Sequence, residues 1–547
     1  MKINKSYTLY IVSILFFFSI LLTAVNYFWI KNNLSHLPPP WDAAFYIYMA
    51  LNDYDSLIHG GIVPFIQTFL HQAPNLAPLF PATTIPFFIF FGPGIQVAYL
   101  SNFFYLFILF LSAYFIADHL AGHGAGWLSV FIAATFPAII TFSRDFLFEF
   151  PLAALTALSY LFFLKSDSFR GRGNSILFGF FCGLSVLTKT MGFVFFVMPV
   201  LYAIYVFVKT TGTKMVKKNI AYSLLTALLV ASIFYVPNFK DIFGYLFYYG
   251  VGEGSKNYNL GIAGMLSLKY WTVYAEHIAE RGISLGYLLI LASSILFYLV
   301  TGEKKVSKDY LLVWLWLICG YILLSLPKIR GGERFALPIL LPIAIIISVH
   351  VMKLSLRPLK YILVTLVILI GIVNYAYQTV SEHCQYKQLH YKGLSVLVPT
   401  YVTCNMQEEL QIPPYKEWDL MLLLRYMDNS RNKESNTVDV LVAVDHHFLN
   451  SDNLFLYAKV NKLKGNLVSD FQFKNIARIP ANAEAIKQLI NQSQFIITKT
   501  GFQGPDYTNT NNYLVKDLFK YEKPLKGFDM SDGSTVSIYL GGLEKHY

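Results

Sequence analysis

Long apolar segments, separated by short polar ones, make up most of the chain as far as Thr379. Segments of about 17–25 apolar residues have the length of helices that cross a bilayer. Eleven such segments, with ends set by proline, glycine and charged residues, lie near 7–30, 94–117, 125–142, 150–164, 175–188, 192–208, 219–237, 284–300, 310–326, 335–352 and 361–379. The pattern predicts an α-helical polytopic membrane protein with about eleven transmembrane helices.

From about Val380 onward the pattern changes to that of a soluble domain, in which helical and strand-like periods alternate. The predicted helices are 415–430, 450–462, 482–492 and 513–521, and the predicted strands are 438–444, 494–499 and 536–540. This order is typical of a small α/β domain. We therefore predict a transmembrane domain over 1–379 and a soluble α/β domain over 380–547. In the latter, Cys384 and Cys404 can form a disulfide or remain free thiols.

The composition agrees with a membrane protein, and the distribution of charge orients it. The chain is 55% hydrophobic and 14% charged, with a net charge of +11. With the N-terminus in the cytoplasm, the predicted cytoplasmic segments hold fifteen Lys and Arg but four Asp and Glu, which accounts for the whole excess. This is the positive-inside bias, and it leaves no basic patch for a nucleic acid. An odd number of spans puts the C-terminal domain on the extracytoplasmic face of the inner or plasma membrane.

The loop after the first span carries the first candidate for chemistry. It contains three prolines followed by Trp41, Asp42 and, four residues later, Tyr46. The prolines fix an extended backbone before a helix, and Trp41 and Tyr46 suit the membrane–water interface. Asp42 falls in the first helical turn, where the helix dipole favours an ionised carboxylate. A charged carboxylate beside a bilayer is a candidate general base; the alternative is a helix cap.

A second acidic site lies in the turn that follows the third predicted span. Arg144, Asp145 and Glu149 lie close together there, and Pro151 fits the first turn of the next helix. Glu149 is therefore expected at or just before that helix N-terminus. Alternatively, Arg144 pairs with Asp145 or Glu149 and simply closes a helical hairpin.

A third site is basic, although it lies on the outer face. Lys328, Arg330 and Arg334 lie in one short loop with two glycines, which let a ligand approach the backbone closely. Such a cluster suits a phosphate, and the alternative is contact with anionic lipid head groups. Lys189, alone between two apolar spans, can join this cluster or snorkel to the interface.

One class of reaction fits the carboxylates on the outer face, the basic cluster suited to a phosphate and the aromatic content of 17%. In sugar transfer from a lipid-linked phosphate, a base takes a proton from the acceptor hydroxyl as it attacks the anomeric carbon. The departing lipid phosphate needs cations to stabilise its charge. Because the donor is itself in the membrane, the site should lie at the edge of the bilayer.

In this order, the motifs resemble those of the GT-C membrane glycosyltransferases, in particular the group that contains the protein O-mannosyltransferases and the aminoarabinose transferase of lipid A. The resemblance covers roughly residues 10–350 and depends on Trp41-Asp42 with Tyr46, Ser143-Arg144 with Glu149 and Pro151-Leu152, Gly183-Leu-Ser-Val-Leu-Thr-Lys189, and Pro327-Lys328 with Arg334-Phe335-Ala-Leu-Pro338. Three positions depart from the family pattern. Glu149 replaces the usual Asp, Phe335 replaces Tyr, and Asn75-Leu-Ala-Pro-Leu79 stands where the family often has His-Pro-Pro-Leu.

The resemblance implies an inverting transferase that uses a polyprenyl-phosphate sugar as its donor and a hydroxyl of a lipid, glycan or protein as its acceptor. Asp42 would be the base or would position the acceptor, and Glu149 would orient the acceptor or the donor. The remaining site residues would be Lys189, Lys328, Arg330 and Arg334 as phosphate ligands, with Trp41, Tyr46, Arg144 and Asp145 in supporting positions. No cofactor is required, although two carboxylates can work with or without a divalent cation.

Two other functions are compatible with a scaffold of this kind. A polymerase or ligase of glycans would take a lipid-diphosphate-linked donor. A transporter or a non-catalytic membrane protein is the other alternative, but transporters usually place polar groups near the midplane, in matched halves. Here the ionisable residues gather at one face.

Overall fold

The computed structural model describes residues 5–209, 214–250, 252, 254–257, 264, 266–301, 307–327, 332–380, 386–391, 394–399, 418–431, 436–476, 483–505 and 509–542. The first helices are α1 (Lys5–Asn33), α2 (Trp41–Asp55), α3 (Ile62–His71), α4 (Leu79–Ala82), α5 (Ile85–Phe91), α6 (Ile95–Ala98), α7 (Asn102–Ala121), α8 (His123–Ala134), α9 (Pro137–Phe142), α10 (Glu149–Lys165), α11 (Arg172–Thr188), α12 (Val197–Lys209) and α13 (Lys214–Tyr235).

The second half of the chain continues with further helices and with all of the strands. The helices are α14 (Phe239–Gly250), α15 (Gly254–Asn257), α16 (Leu268–His277), α17 (Leu285–Thr301), α18 (Lys308–Ser325), α19 (Glu333–Ala336), α20 (Leu340–Lys353), α21 (Arg357–Val380), α22 (Leu420–Ser430), α23 (Ser451–Leu463), α24 (Ala483–Gln492) and α25 (Asn509–Leu518). The strands are β1 (Tyr386–Tyr391), β2 (Leu394–Pro399), β3 (Thr437–Val442), β4 (Asp470–Asn475), β5 (Phe495–Lys499), β6 (Lys526–Asp529) and β7 (Thr535–Leu540). Short 3-10 or π segments are Ser56–Gly60, Tyr99–Ser101, Thr190–Phe196, Ile278–Gly282 and Leu337–Ile339.

Each of the eleven predicted spans falls on a helix or on consecutive helices. In the described part of the chain, seven helical segments are long and apolar enough to cross a membrane, or eight if a pair bent by 113° counts as one span. The predicted span 125–142 is broken into α8 and α9 at Pro137, which lacks the N–H that a continuous helix needs. The chain is therefore a multi-pass membrane protein, and the number eleven remains a prediction.

The chain divides into two compact units, each with segments from different parts of the sequence. The first unit comprises Met1–Asn26, Phe69–Phe80 and Ser101–Gln411, and the second comprises Tyr27–Thr68, Pro81–Leu100 and Ile412–Tyr547. The second unit thus groups the first loop with the C-terminal region, which the sequence did not predict. The boundary between 379 and 380 remains a prediction, and Cys384 and Cys404 lie outside the described residues.

The first unit is built around α10, which is buried along almost its whole length, as expected of a helix that is apolar on every face. It packs against α7 and α11. Glycines let α11 approach α13 closely. A Cβ on Gly179 would lie 2.0 Å from the Ser223 carbonyl oxygen, and one on Gly183 would lie 2.6 Å from Val230 Cβ. This spacing of small residues is a recurrent contact between membrane helices. In the same unit, β1 and β2 form an antiparallel hairpin.

The second unit contains a five-stranded sheet in the order β4-β3-β5-β7-β6. The pairs β4–β3 and β3–β5 are parallel, whereas β5–β7 and β7–β6 are antiparallel. Leu441 and Ile496 pack with Ile486 and Val515, so that α24 and α25 cover one face of the sheet. The next residue along β3, Val442, points to the other face and is also buried. The sheet therefore has apolar residues buried on both faces.

The alternation of predicted helices and strands in this region is observed. Strands β3, β5 and β7 overlap the three predicted ones, and helices α22 to α25 overlap the four predicted ones. Four strands after residue 380 were not predicted: β1, β2, β4 and β6. In β4, Phe471 and Phe473 alternate with polar residues and are buried, so the signal was present in the period of two.

Candidate active site

The first unit places the second acidic site at the start of its most buried helix. Glu149 is the first residue of α10, and its side chain is 2% exposed. Pro151 follows within the first turn, where its missing N–H costs no helical hydrogen bond. A buried carboxylate needs compensating charge, because removing it from water is otherwise very unfavourable.

Two cations supply that charge. Lys189 Nζ donates a hydrogen bond of 2.7 Å to Glu149 Oε1, and Arg334 Nε lies 3.4 Å from the same oxygen. Both cations also lie over the ring of Phe335, with Lys189 Nζ at 4.8 Å and Arg334 Cζ at 5.2 Å from its centroid. Among the described residues, Glu149 Oε2 has no hydrogen-bond partner. The site thus brings together three residues that the sequence predicted: Glu149, Lys189 and Arg334.

Local backbone geometry explains how Lys189 reaches Glu149. Helix α11 ends at Thr188, and Lys189 is extended, with φ −154° and ψ 130°, before the 3-10 segment begins. That segment lies against α10 at Gly192, where a Cβ would come within 2.9 Å of the Leu152 side chain. The close approach brings the start of the segment to the start of α10. Arg334 lies on the short helix α19. The residue before that helix is Gly332, whose φ of +64° favours glycine.

A second group of charges adjoins Arg334, and the sequence analysis did not single it out. Glu333 is buried, and its Oε2 lies 3.8 Å from His277 Nδ1 and 3.9 Å from Arg281 Nη1. His277 and Arg281 come from α16 and the π segment that follows it. Their signal in the sequence was the presence of charged residues in the long outer loop at 238–283.

Arg144 makes contacts that join distant parts of the first unit. Its Nε donates to Asn26 Oδ1 at 2.9 Å, Nη1 to the Gln378 carbonyl at 2.6 Å, and Nη2 to Thr379 Oγ1 at 2.9 Å. Arg144 therefore ties the turn before α10 to helices α1 and α21. These contacts suit a residue that supports the site by holding its scaffold.

Asp145 stabilises the same turn. Its Oδ1 accepts a 2.7 Å hydrogen bond from the Phe146 N–H, and its backbone carbonyl accepts one of 2.7 Å from Asn102 Nδ2. Lys328 and Arg330, the other two predicted phosphate ligands, lie outside the described residues. Within the described ranges, no group of three or more His, Cys, Asp or Glu side chains has a metal-binding arrangement.

Asp42 belongs to the second unit. Helix α2 is capped at Pro40, so Asp42 is its second residue rather than its cap, and it is exposed. Trp41 has a positive φ of 27°, which is unusual for a residue with a side chain, and its Nε1 donates to the Asp445 carbonyl at 3.2 Å. Tyr46 is buried. That Asp42 and Glu149 share one pocket remains a prediction.

The second unit also contains a buried cluster of titratable groups that the sequence analysis missed. Burial, together with the charge of Lys499, lowers the pKa of His447 to about 4. Burial, the neighbouring His447 and Lys499 together lower the pKa of His446 to about 2. The fully buried ammonium of Lys499 lies 2.8 Å from Asp532 Oδ2. Burial alone would raise the pKa of Asp532, but hydrogen bonds from Lys499 and Ser534 hold it below its ordinary value. The two histidines follow β3 and Lys499 ends β5, at the carboxyl edge of the parallel strands, whereas Asp532 comes from the turn between β6 and β7.

Comparison with known proteins identifies the fold. A family model, dolichyl-phosphate-mannose-protein mannosyltransferase, matches residues 63–242, a segment that includes Glu149 and Lys189. The chain also resembles the crystal structure of ArnT from Cupriavidus metallidurans in the apo state, with a TM-score of 0.55 and 12% identity over 98% of each chain. The chain has the GT-C glycosyltransferase fold.

A second structure supports the same conclusion. ArnT from Cupriavidus metallidurans bound to undecaprenyl phosphate matches with a TM-score of 0.51 and 12% identity, over 95% of this chain and 97% of that one. No curated protein has significant sequence similarity to the chain. The family match and the GT-C fold together make this protein a membrane glycosyltransferase. They confirm the fold and the enzyme class that the sequence motifs predicted.

Proposed function

We propose that this GT-C enzyme transfers a sugar, with inversion, from a polyprenyl-phosphate donor to a hydroxyl group of a lipid, glycan or protein. The transfer takes place on the extracytoplasmic face of the inner or plasma membrane. Two comparisons support the donor class. The description of the matching family names a dolichyl-phosphate-linked mannose, and one similar structure is bound to undecaprenyl phosphate. The positive-inside distribution of charge supports the placement of the site on the extracytoplasmic face.

The observation that carries the proposal is the group formed by Glu149, Lys189 and Arg334 over Phe335. Two cations held within reach of one carboxylate oxygen leave the group with an excess of one positive charge, at the ends of predicted membrane helices. When the sugar leaves its lipid carrier, negative charge develops on the phosphate, and pre-oriented cations stabilise that charge. A guanidinium can also contact a phosphate through two parallel hydrogen bonds. Lys328 and Arg330 belong to the same proposed set.

Glu149 has a specific role in this proposal. Without a donor, its carboxylate lies between two cations and offsets their mutual repulsion. A donor phosphate reaches Lys189 and Arg334 by joining or replacing their contact with Glu149. Glu149 therefore orients the donor by holding its ligands in place, rather than by contacting the sugar.

Asp42 is the proposed base. It lies exposed in the first turn of α2. It accepts the proton of the acceptor hydroxyl while that oxygen attacks the anomeric carbon, and the bond to the polyprenyl phosphate breaks on the opposite side. The configuration at the anomeric carbon is therefore inverted.

The test uses the purified protein in liposomes with native membrane extract as the source of acceptor. A labelled polyprenyl-monophosphate sugar should give labelled product, whereas a diphosphate-linked oligosaccharide should not. Asp42→Asn should fold normally and abolish transfer, and Asp517→Asn, at an exposed helical position in the same unit, should retain it. Transfer from the diphosphate donor alone would instead indicate a polymerase or ligase, and the absence of any product would contradict the proposal.

A further inference from the structure

Within the second unit, the helix that carries Asp42 lies along a helix of the C-terminal region. Helix α2 packs against α23, and the two helices are in contact near both ends of α2. The approach to α2 consists of three prolines, Pro38 to Pro40, which have no N–H groups with which to form regular structure. The Pro40 carbonyl accepts a hydrogen bond from the Ala43 N–H of α2 itself, whereas the Pro39 carbonyl is bound by a distant part of the chain.

Asn453 provides that contact at the start of α2. Its Nδ2 donates a hydrogen bond of 2.6 Å to the Pro39 carbonyl, and the side chain is completely buried. Asn453 is itself fixed, because its backbone N–H bonds to Asn450 Oδ1, which caps α23. A buried, pre-oriented amide of this kind defines the position of the group that it binds.

The backbone next to Asp42 needs such support. Trp41 has φ +27°, a conformation that residues with side chains rarely adopt and that persists only where surrounding contacts enforce it. Trp41 Nε1 donates to the carbonyl of Asp445, in the loop after β3. The strained residue is thus held on one side by the Asn453 contact with Pro39 and on the other by its own indole.

The far end of α2 is held by charge and the middle by aromatic packing. Lys459 Nζ donates to Asp55 Oδ2 at 2.5 Å, and His59 Nδ1 lies 2.7 Å from Asp55 Oδ1. The rings of Tyr48 and Phe455 lie 5.4 Å apart. Because Asn453, Phe455 and Lys459 all belong to α23, this helix of the C-terminal region holds α2 along its length.

We propose that Asn453 is a positioning residue: through the Pro39 carbonyl it fixes the start of α2 and therefore the position of Asp42. The C-terminal α/β region then contributes directly to the position of the proposed base. This inference rests on the proposed function of Asp42 as the base.

The decisive variant is Asn453→Ala, and its matched control is Asn461→Ala. Asn461 is on the same helix, but its amide bonds to the Tyr457 carbonyl and to Asn466, away from α2. Hydrogen exchange of peptides covering 37–48 should become about tenfold faster in Asn453→Ala, as expected for the loss of one buried hydrogen bond. The exchange rate over 37–48 should stay unchanged in Asn461→Ala. Peptides covering 451–463 should stay protected in both variants.

Kinetics separate positioning from a merely structural role. In Asn453→Ala, kcat for sugar transfer should fall by about 100-fold, because a small displacement of a reacting group is costly, while KM for the donor should change little. Asn453→Asp keeps the shape of the side chain but lacks the N–H donor, so it should show the same defect. The Asn461→Ala control should retain the kcat of the wild type.

The outcomes distinguish this inference from the proposed function. Unchanged exchange over 37–48 in Asn453→Ala would overturn the inference, whatever the activity. Faster exchange with unchanged kcat would also overturn it, while leaving the role of Asp42 standing if Asp42→Asn is inactive. If Asp42→Asn itself remains fully active, the proposed function fails, and the exchange result then describes only the attachment of the loop.

Discussion

Replacing Glu149 by Gln tests the charged group directly, because the substitution removes one charge and keeps the shape. In the wild-type protein the Glu149 carboxylate lies between Lys189 and Arg334. The neutral amide leaves two cations close together and without their counter-charge. Removing one partner of a fully buried ion pair typically costs about 3–5 kcal/mol. The side chains of Lys189 and Arg334 are 19% and 28% exposed, so water screens part of the repulsion, and we expect a loss of about 2–3 kcal/mol.

The assay is equilibrium or thermal unfolding of the detergent-solubilised protein, with Glu276→Gln as the control. Glu276 pairs with Lys269 at 2.5 Å, but their side chains are 45% and 62% exposed. A surface pair of this kind contributes less than about 1 kcal/mol. The Glu149→Gln variant should therefore be clearly less stable than the control variant, which should resemble the wild type.

Addition of a polyprenyl phosphate gives a second measurement. Its phosphate supplies the negative charge that the variant lacks, so it should raise the unfolding temperature of Glu149→Gln by more than that of the wild type. Equal losses of stability in the two Gln variants, or no extra stabilisation by the lipid phosphate, would refute the reasoning that Glu149 holds the cations for a phosphate.

Two further predictions concern packing and pH. Gly179→Ala should cost about 1–3 kcal/mol of stability, because its Cβ would lie 2.0 Å from the Ser223 carbonyl oxygen. The control is Gly173→Ala on the same helix, whose Cβ would meet no atom within 4 Å and which should not change the stability. Unfolding of both variants in detergent makes the comparison. His446 and His447 stay neutral in the folded protein, with pKa values of about 2 and about 4, so their stabilising contribution is present above pH 6.5, the ordinary pKa, and is lost as the pH falls below it. The free energy of opening of β3, obtained from hydrogen exchange after correction for the intrinsic exchange rate at each pH, should fall between pH 7 and 5 by up to about 1.4 kcal/mol per pH unit for each histidine, and His447→Phe should roughly halve this dependence. A flat pH profile would contradict the assignment of buried neutral rings.

The membrane architecture could be predicted because the bilayer imposes length and hydropathy on each helix separately. The predicted spans fall on helices, and even the break at Pro137 follows from the missing N–H of one residue. The α/β region was predictable for a similar reason, since strands β3, β5 and β7 are rich in Val, Ile and other residues that favour strands. The amphipathic strand β4 was missed because, apart from Phe471 and Phe473, its residues are polar or charged and give little preference for a strand.

The sequence also determined which residue types could serve the chemistry, because the outer loops at 143–149, 188–190 and 327–334 are short and each charged residue in them could be considered individually. It named Glu149, Lys189 and Arg334, yet it could not state that one carboxylate oxygen contacts both cations. That contact depends on the relative positions of the start of α10, the end of α11 and the start of α19. Close approaches such as that at Gly192 set these positions. For the same reason, the sequence did not indicate that Glu333 lies beside His277 and Arg281.

Only the tertiary structure showed that the first loop belongs with the C-terminal region. Pro39 and Asn453 are 414 residues apart, and no periodicity within either segment encodes their contact. Local patterns report the environment of each residue, its burial and its helix or strand, because those properties repeat at short range. Pairing between distant segments depends on shape and on single hydrogen bonds, which leave no repeating signal in the chain.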